Sequence, residues 1–138
     1  MARFKTVEHT ADIGIEVEAD NLEELFEGAA LGMLSIIVDP SSDIGRGIEV
    51  EVSLEAGDIE GLLFEWLNEL LFIMDARGVL LSVFQVDGIN DLHLEATVRG
   101  ERIRQGEDRL MTEVKAATFH QLVVEKRGTW FARVIFDV

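Results

Sequence analysis

At 138 residues, 48% of them apolar and only one Pro, the sequence has the composition of a single globular domain spanning 1–138, not of a disordered chain. Its net charge of −15 comes from residues 1–75, with 18 acids against 3 bases, whereas residues 76–138 balance 9 against 9. Such acidity opposes direct high-affinity nucleic-acid binding, the lack of Cys excludes disulfides and thiolate metal sites, and no apolar run or signal-like leader suggests a membrane, so a cytoplasmic protein is expected.

Residues 3–8 and 13–19 read as short strands flanking the loop His9-Thr10-Ala11-Asp12. In the second, Ile13, Ile15 and Val17 alternate with Gly14, Glu16 and Glu18, the two-residue period of a half-buried strand. Asp20 is the expected cap of a first helix, with Glu23 completing a capping box, and Leu22, Leu25, Phe26, Ala29 and Met33 recur at helical spacing. Pro40 closes that segment, and 41–47 is loop. Ile48, Val50, Val52 and Leu54 alternate with polar residues as a further strand. Asp58 is placed to cap a second helix running to Asp75, whose apolar stripe includes Leu62, Leu63, Trp66, Leu67, Leu70 and Met74, with Gly78 positioned for a left-handed end.

Beyond that helix the pattern is mostly strand. Segments 79–86 and 92–99 are expected to flank a turn at Asp87-Gly88-Ile89-Asn90, and 116–125 and 129–138 to flank Lys126-Arg127-Gly128. Residues 101–113 are polar without a period; Arg99, Arg102, Arg104, Arg109 and Lys115 interleave with Glu101, Glu107, Asp108 and Glu113, the pattern of a solvated loop or edge. Two helices among strands grouped in runs predict an α+β fold, a mixed or antiparallel sheet with both helices packed on it.

The sequence given stops on Phe136-Asp137-Val138, in an apolar strand, which sets a side-chain carboxylate one residue from a terminal one. If that strand meets the 9–12 loop, Asp12, Asp137 and Val138 form an oxygen-rich site for a divalent cation, Ca²⁺, Mg²⁺ or Mn²⁺. Asp12 reads as well as an acid bonded to its own loop backbone. His9 and His120 read first as packing residues, and three scattered His without Cys argue against zinc. Glu113 and Lys115 share a face if extended, as an exposed pair or as groups aimed at a site. No phosphate loop, GxSxG or HExxH is present, so a self-sufficient enzyme would have carboxylates, a Lys and a metal to work with.

His9-Thr10-Ala11-Asp12-Ile13-Gly14, Glu65-Trp66-Leu67-Asn68-Glu69-Leu70-Leu71, Glu113-Val114-Lys115-Ala116-Ala117-Thr118-Phe119-His120 and Val134-Ile135-Phe136-Asp137-Val138 together resemble the archease family across the whole chain, with Phe119 where the family usually has Tyr. The resemblance implies an archease-like fold and a non-catalytic accessory protein that activates an RtcB-type RNA ligase, in tRNA splicing and RNA repair, by promoting its guanylylation. It implies a metal site on Asp12, Asp137 and Val138, the last through main-chain or terminal oxygens, with Ca²⁺ expected in crystals and Mg²⁺ or Mn²⁺ in function. His9, Glu113, Lys115 and His120 are the supporting or partner-contact candidates. An acidic protein suits docking at the basic mouth of an RNA enzyme better than gripping RNA itself. The rival readings are a chaperone-like modulator of RNA-processing or RNA-modifying enzymes and a small metal-dependent hydrolase.

Overall fold

The alternating segments near the two ends of the sequence are neighbours in one sheet. The computed structural model describes residues 2–9 and 12–138, with the backbone alone for Glu8 and His9. The chain runs β1 (Arg3–His9), β2 (Asp12–Ala19), α1 (Leu22–Ile37), β3 (Ile48–Glu55), α2 (Ile59–Arg77), β4 (Val79–Ile89), β5 (His93–Arg102), β6 (Ala116–Ala117), β7 (Val123–Arg127) and β8 (Thr129–Asp137). The larger sheet has the order β1-β2-β8-β6, with β7 also paired to β8; the smaller is β3-β5-β4. All named pairings are antiparallel, and with the two helices they make the α+β fold expected from the pattern. Among the described residues no helix is long and apolar enough to cross a membrane.

Alternation decides which face of the larger sheet is covered. Ile15, Val17, Val134 and Phe136 lie on one face and are almost fully buried, at 0–1% exposure, in the cluster that also holds Leu25, Phe26 and Met33 of α1. Helix α1 touches both sheets, through β2 and β4, so the two sheets share one apolar cluster. Its cap is Asn21, whose Oδ1 accepts from the Glu24 amide at 2.8 Å. The expected cap, Asp20, falls one residue short. Asn and Asp cap equally well, so the helix start is chosen by the core stripe, not by the side chain's chemistry.

Helix α2 follows the sequence closely. Asp58 Oδ1 accepts from the Gly61 amide at 2.7 Å, and Gly78 closes the helix at φ 62°, a left-handed position that Gly occupies without steric cost. Trp66 is fully buried and its indole N–H donates to the Phe26 carbonyl at 2.9 Å, tying α2 to α1. Trp66→Phe removes that donor and part of the ring volume. The expected result is a loss of about 1–3 kcal/mol in urea unfolding with an unchanged denaturant slope. A midpoint equal to wild type would contradict the role given to this bond.

Two further expectations, both about strand boundaries, need correction. The turn between β4 and β5 lies at Asn90-Asp91-Leu92, not at 87–90: Asn90 Oδ1 accepts from the Leu92 and His93 amides at 2.8 and 2.9 Å. Both strands are longer than expected because register shifts at Leu81/Val83 and Val86/Gly88 absorb the extra residues of β4. The segment 116–125 is two strands, not one. Thr118 spends both its amide and its hydroxyl on the Ile135 carbonyl, at 3.0 and 2.8 Å, and Gln121 at φ 53° then turns the chain into β7.

Candidate functional site

Antiparallel pairing fixes where the two candidate acids stand. β2 and β8 are in register from Ala19↔Trp130 to Ile13↔Phe136, so one further step sets Asp12 opposite Asp137. Opposed residues in such a pair project to the same face, with Cβ atoms about 5 Å apart. Phe136 points into the core, so Asp12 and Asp137 point to the opposite face. Asp12 is half-buried and Asp137 is exposed, and Val138 follows at 44% exposure. The end of β8 is also held from its other side: Ala116 pairs with Asp137, and the Lys115 amide donates to the Asp137 carbonyl at 2.8 Å. Two carboxylates opposed on ordered strands repel unless a cation or donor lies between them.

Gly14 makes this register possible. A Cβ there would stand 2.6 Å from the Val134 carbonyl oxygen and 2.8 Å from Ile135 Cδ1. Only a residue without a side chain lets β2 lie this close to β8 beside the acids.

The remaining candidates separate. The His9 side chain, like Thr10 and Ala11, lies outside the described residues. His120 is exposed in the turn after β6, its amide 3.3 Å from Thr118 Oγ1. Among the described residues no three His, Cys, Asp or Glu side chains gather as a metal-holding cluster, so His120 does not join Asp12 and Asp137. Glu113 and Lys115 are both exposed, on either side of buried Val114, and form no ion pair with each other among the described residues. They line a groove beside α2 instead.

Two features of this region were not read from the sequence. Asn68, in the middle of α2, bonds both ways with Ala117: its Oδ1 accepts from the Ala117 amide at 2.9 Å and its Nδ2 donates to the carbonyl at 3.2 Å. It occupies the place of a neighbouring strand and fixes the height of β6 against α2. A poor helix former beside the apolar stripe, between Leu67 and Leu70, was the available signal. Nearby, Phe64 and Phe119 stack at 4.0 Å between centroids, leaving Phe119 60% exposed.

The second is a clamp where a solvated loop was expected. Arg109 donates through Nε and Nη2 to the two carboxylate oxygens of Glu107, each at 2.7 Å, and its Nη1 reaches Glu101 and the Asp43 carbonyl. The Arg109 and Glu107 side chains are only 16% and 6% exposed. Backbone bonds from Asp39 N to the Arg109 carbonyl, at 3.0 Å, and from Met111 N to the Ile37 carbonyl, at 2.7 Å, strap residues 103–115 to the end of α1.

The hydrogen bonds from Arg109 hold the Glu107 carboxyl at about 2 and Glu101 also below the usual carboxylate range. A carboxyl depressed in the folded state stabilises fully above its unfolded value of 4.5, and that contribution disappears as pH falls towards about 2. Glu107→Gln should therefore flatten the fall of melting temperature with acid in that window, as read by circular dichroism. An acid limb as steep as wild type would remove the clamp from the account.

With this geometry in place, comparison with known proteins is specific. The family model for the Archease protein family (MTH1598/TM1083) matches residues 4–138. A protein archease of Methanothermobacter thermautotrophicus is 41% identical over 142 residues, covering 100% of both chains. The solution structure of protein 1598 of Methanobacterium thermoautotrophicum superposes with a TM-score of 0.78 at 38% identity over 98% of each chain. A crystal structure from Thermotoga maritima, described as an archease and possible chaperone, gives a TM-score of 0.66 at 27% identity, over 97% of this chain and 96% of that one.

Proposed function

The chain belongs to the archease family, and from that premise we propose that it is a non-catalytic accessory protein that activates an RtcB-type RNA ligase by promoting its guanylylation. The observation that carries the reading is the β2–β8 register, which ends at Ile13↔Phe136 and leaves Asp12 and Asp137 as the next residue on each strand, on the face away from Phe136. The donor set fits a hard divalent ion: it is oxygen only, the chain has no Cys, and His120 stands apart. Asp12 and Asp137, with oxygens of Val138, would hold Ca²⁺, Mg²⁺ or Mn²⁺, which would supply charge neutralisation next to a nucleotide triphosphate.

The work of the protein's own residues is positional. The β2–β8 register, supported by Gly14 and by the Lys115–Asp137 backbone bond, holds the strand ends from which the two carboxylates would project. Preorganised groups of this kind avoid reorganisation at the moment of reaction. The surplus of acids speeds encounter with a basic enzyme and makes it salt-sensitive.

The test is guanylylation of an RtcB-type ligase at limiting divalent metal, titrated with the wild-type protein. Faster and repeated guanylylation is expected, and no change across the titration overturns the reading. A second reading, a chaperone-like modulator, draws on the exposed apolar side chains Phe72 and Met111, at 63% and 60%, and on the description of the Thermotoga maritima relative. It is distinguished by suppression of client aggregation that neither metal nor the two Asp affects. Metal-dependent turnover by the protein alone would instead indicate a hydrolase.

A further inference from the structure

Between α2 and the strapped segment 103–115 lies an open groove of about 990 Å³. Phe72 from the helix and Leu110 and Met111 from the strap stand at its edges, 63%, 45% and 60% exposed. Exposed apolar side chains are ordinary when scattered, but three beside one concavity mark a surface that another molecule covers. The groove walls are fixed, on one side by the capped helix α2 and on the other by the Arg109 clamp.

The charge around it identifies the kind of occupant. Asp75 lines the groove three residues after Phe72, and Glu69, three residues before Phe72, lies outside the lining on the same face of α2. Glu113 adds an acid from the strap. None of these three acids enters an ion pair among the described residues. The two cations of the groove, Arg104 and Lys115, both lie on the strap side, and Arg104 is drawn to Glu101 at 3.8 Å. The helix side of the groove therefore carries one acid, Asp75, without an ion pair among the described residues, and Glu69 stands a turn away on the same face. A second copy would bring another −15 charge to this rim, which opposes self-association.

We propose that this groove docks a segment of a partner protein that carries apolar side chains flanked by Lys or Arg, its apolar face on Phe72 and Met111 and its basic flank along Glu69 and Asp75. The proposal rests on the accessory reading above only for whose segment it is. It separates two jobs on the molecule, with docking at the groove and cation handling at Asp12 and Asp137. Lys115 joins them, because it lines the groove while its amide holds Asp137.

The test uses the full ¹⁵N-labelled chain and two synthetic amphipathic peptides of one pattern, Leu with Lys and Leu with Glu. The Leu/Lys peptide should shift amides around Phe72, Met111 and Glu113, and the Leu/Glu peptide should bind at least about tenfold more weakly. The double variant Phe72→Ser with Met111→Ser changes two exposed side chains and should keep the fold by circular dichroism. It should lose about tenfold in affinity for the Leu/Lys peptide and for an RtcB-type ligase, whereas Leu92→Ser, an exposed apolar change in the β4–β5 turn outside the groove, should keep both. Shifts centred elsewhere, or equal binding by the double variant, overturn the proposal. So do concentration-dependent shifts at the groove without peptide, which make the occupant a second copy. If the peptide maps to the groove but wild type does not bind the ligase, the docking site stands and the accessory reading falls.

Discussion

Asp12→Ala and Asp137→Ala are each expected to abolish stimulation of ligase guanylylation while leaving the fold and ligase binding in place. The two residues are the next on each strand beyond the Ile13↔Phe136 end of the β2–β8 ladder, one half-buried and one exposed, so removing either costs little packing. What goes is half of the side-chain charge available to a cation, on a protein whose composition offers no nucleophile context of its own. Loss of one preorganised electrostatic group costs on the order of a hundredfold in rate where charge placement dominates the chemistry. Asp12→Asn, which keeps size and loses charge, should behave like the Ala variant. The measurement is a guanylylation time course at limiting metal with wild type and each variant. If both Ala variants stimulate as well as wild type, the carboxylates are not the working part and the chaperone-like reading moves ahead.

Gly14→Ala should lower stability and function together. The added Cβ would meet a main-chain carbonyl at 2.6 Å, and main chain cannot turn aside as a flexible side-chain end can. Overpacking of this kind costs about 1–3 kcal/mol. Relief requires β2 to move from β8, which is the pairing that sets Asp12 opposite Asp137. The control is Gly47→Ala, where a Cβ would meet nothing within 4 Å, and whose effect should stay within about 0.5 kcal/mol. Denaturant melts and the guanylylation assay should fall in step for Gly14→Ala and hold for Gly47→Ala. A Gly14→Ala protein as stable as wild type would show that the strands have slack the geometry denies.

What could be read in advance was what local rules determine. β3 and the span from Asp58 to Gly78 follow from alternation, a cap and a left-handed Gly, each visible within a few residues. The split of 116–125 was not visible, because it depends on Thr118 finding the Ile135 carbonyl from a distant strand. The lengths of β4 and β5 depend on two bulges that no local period announces. For the site, Asp12 and Asp137 were recognisable as residues, but that they face each other depends on a register between segments at opposite ends of the sequence. Arg109 illustrates the reverse error. An alternation of acids and bases on a loop suggests solvent, and here the same residues fold over one another as a clamp, since Glu107 and Glu101 reach the guanidinium together.

The position of β8 also determines when the molecule can form. It is the strand to which β2, β6 and β7 all attach, and its β2 partner lies almost the whole chain away. Closing so long a loop before any sheet contact repays it is slow, whereas the β4–β5 hairpin closes around three residues. The β4–β5 hairpin is therefore expected to form early and the β2–β8 pairing late, an order that pulsed hydrogen exchange would read in the amides of β5 and β8. Until β8 arrives, Ile15 and Val17 of β2 lack the strand that shields their edge, and this is the interval in which the chain is most open to strand-mediated aggregation.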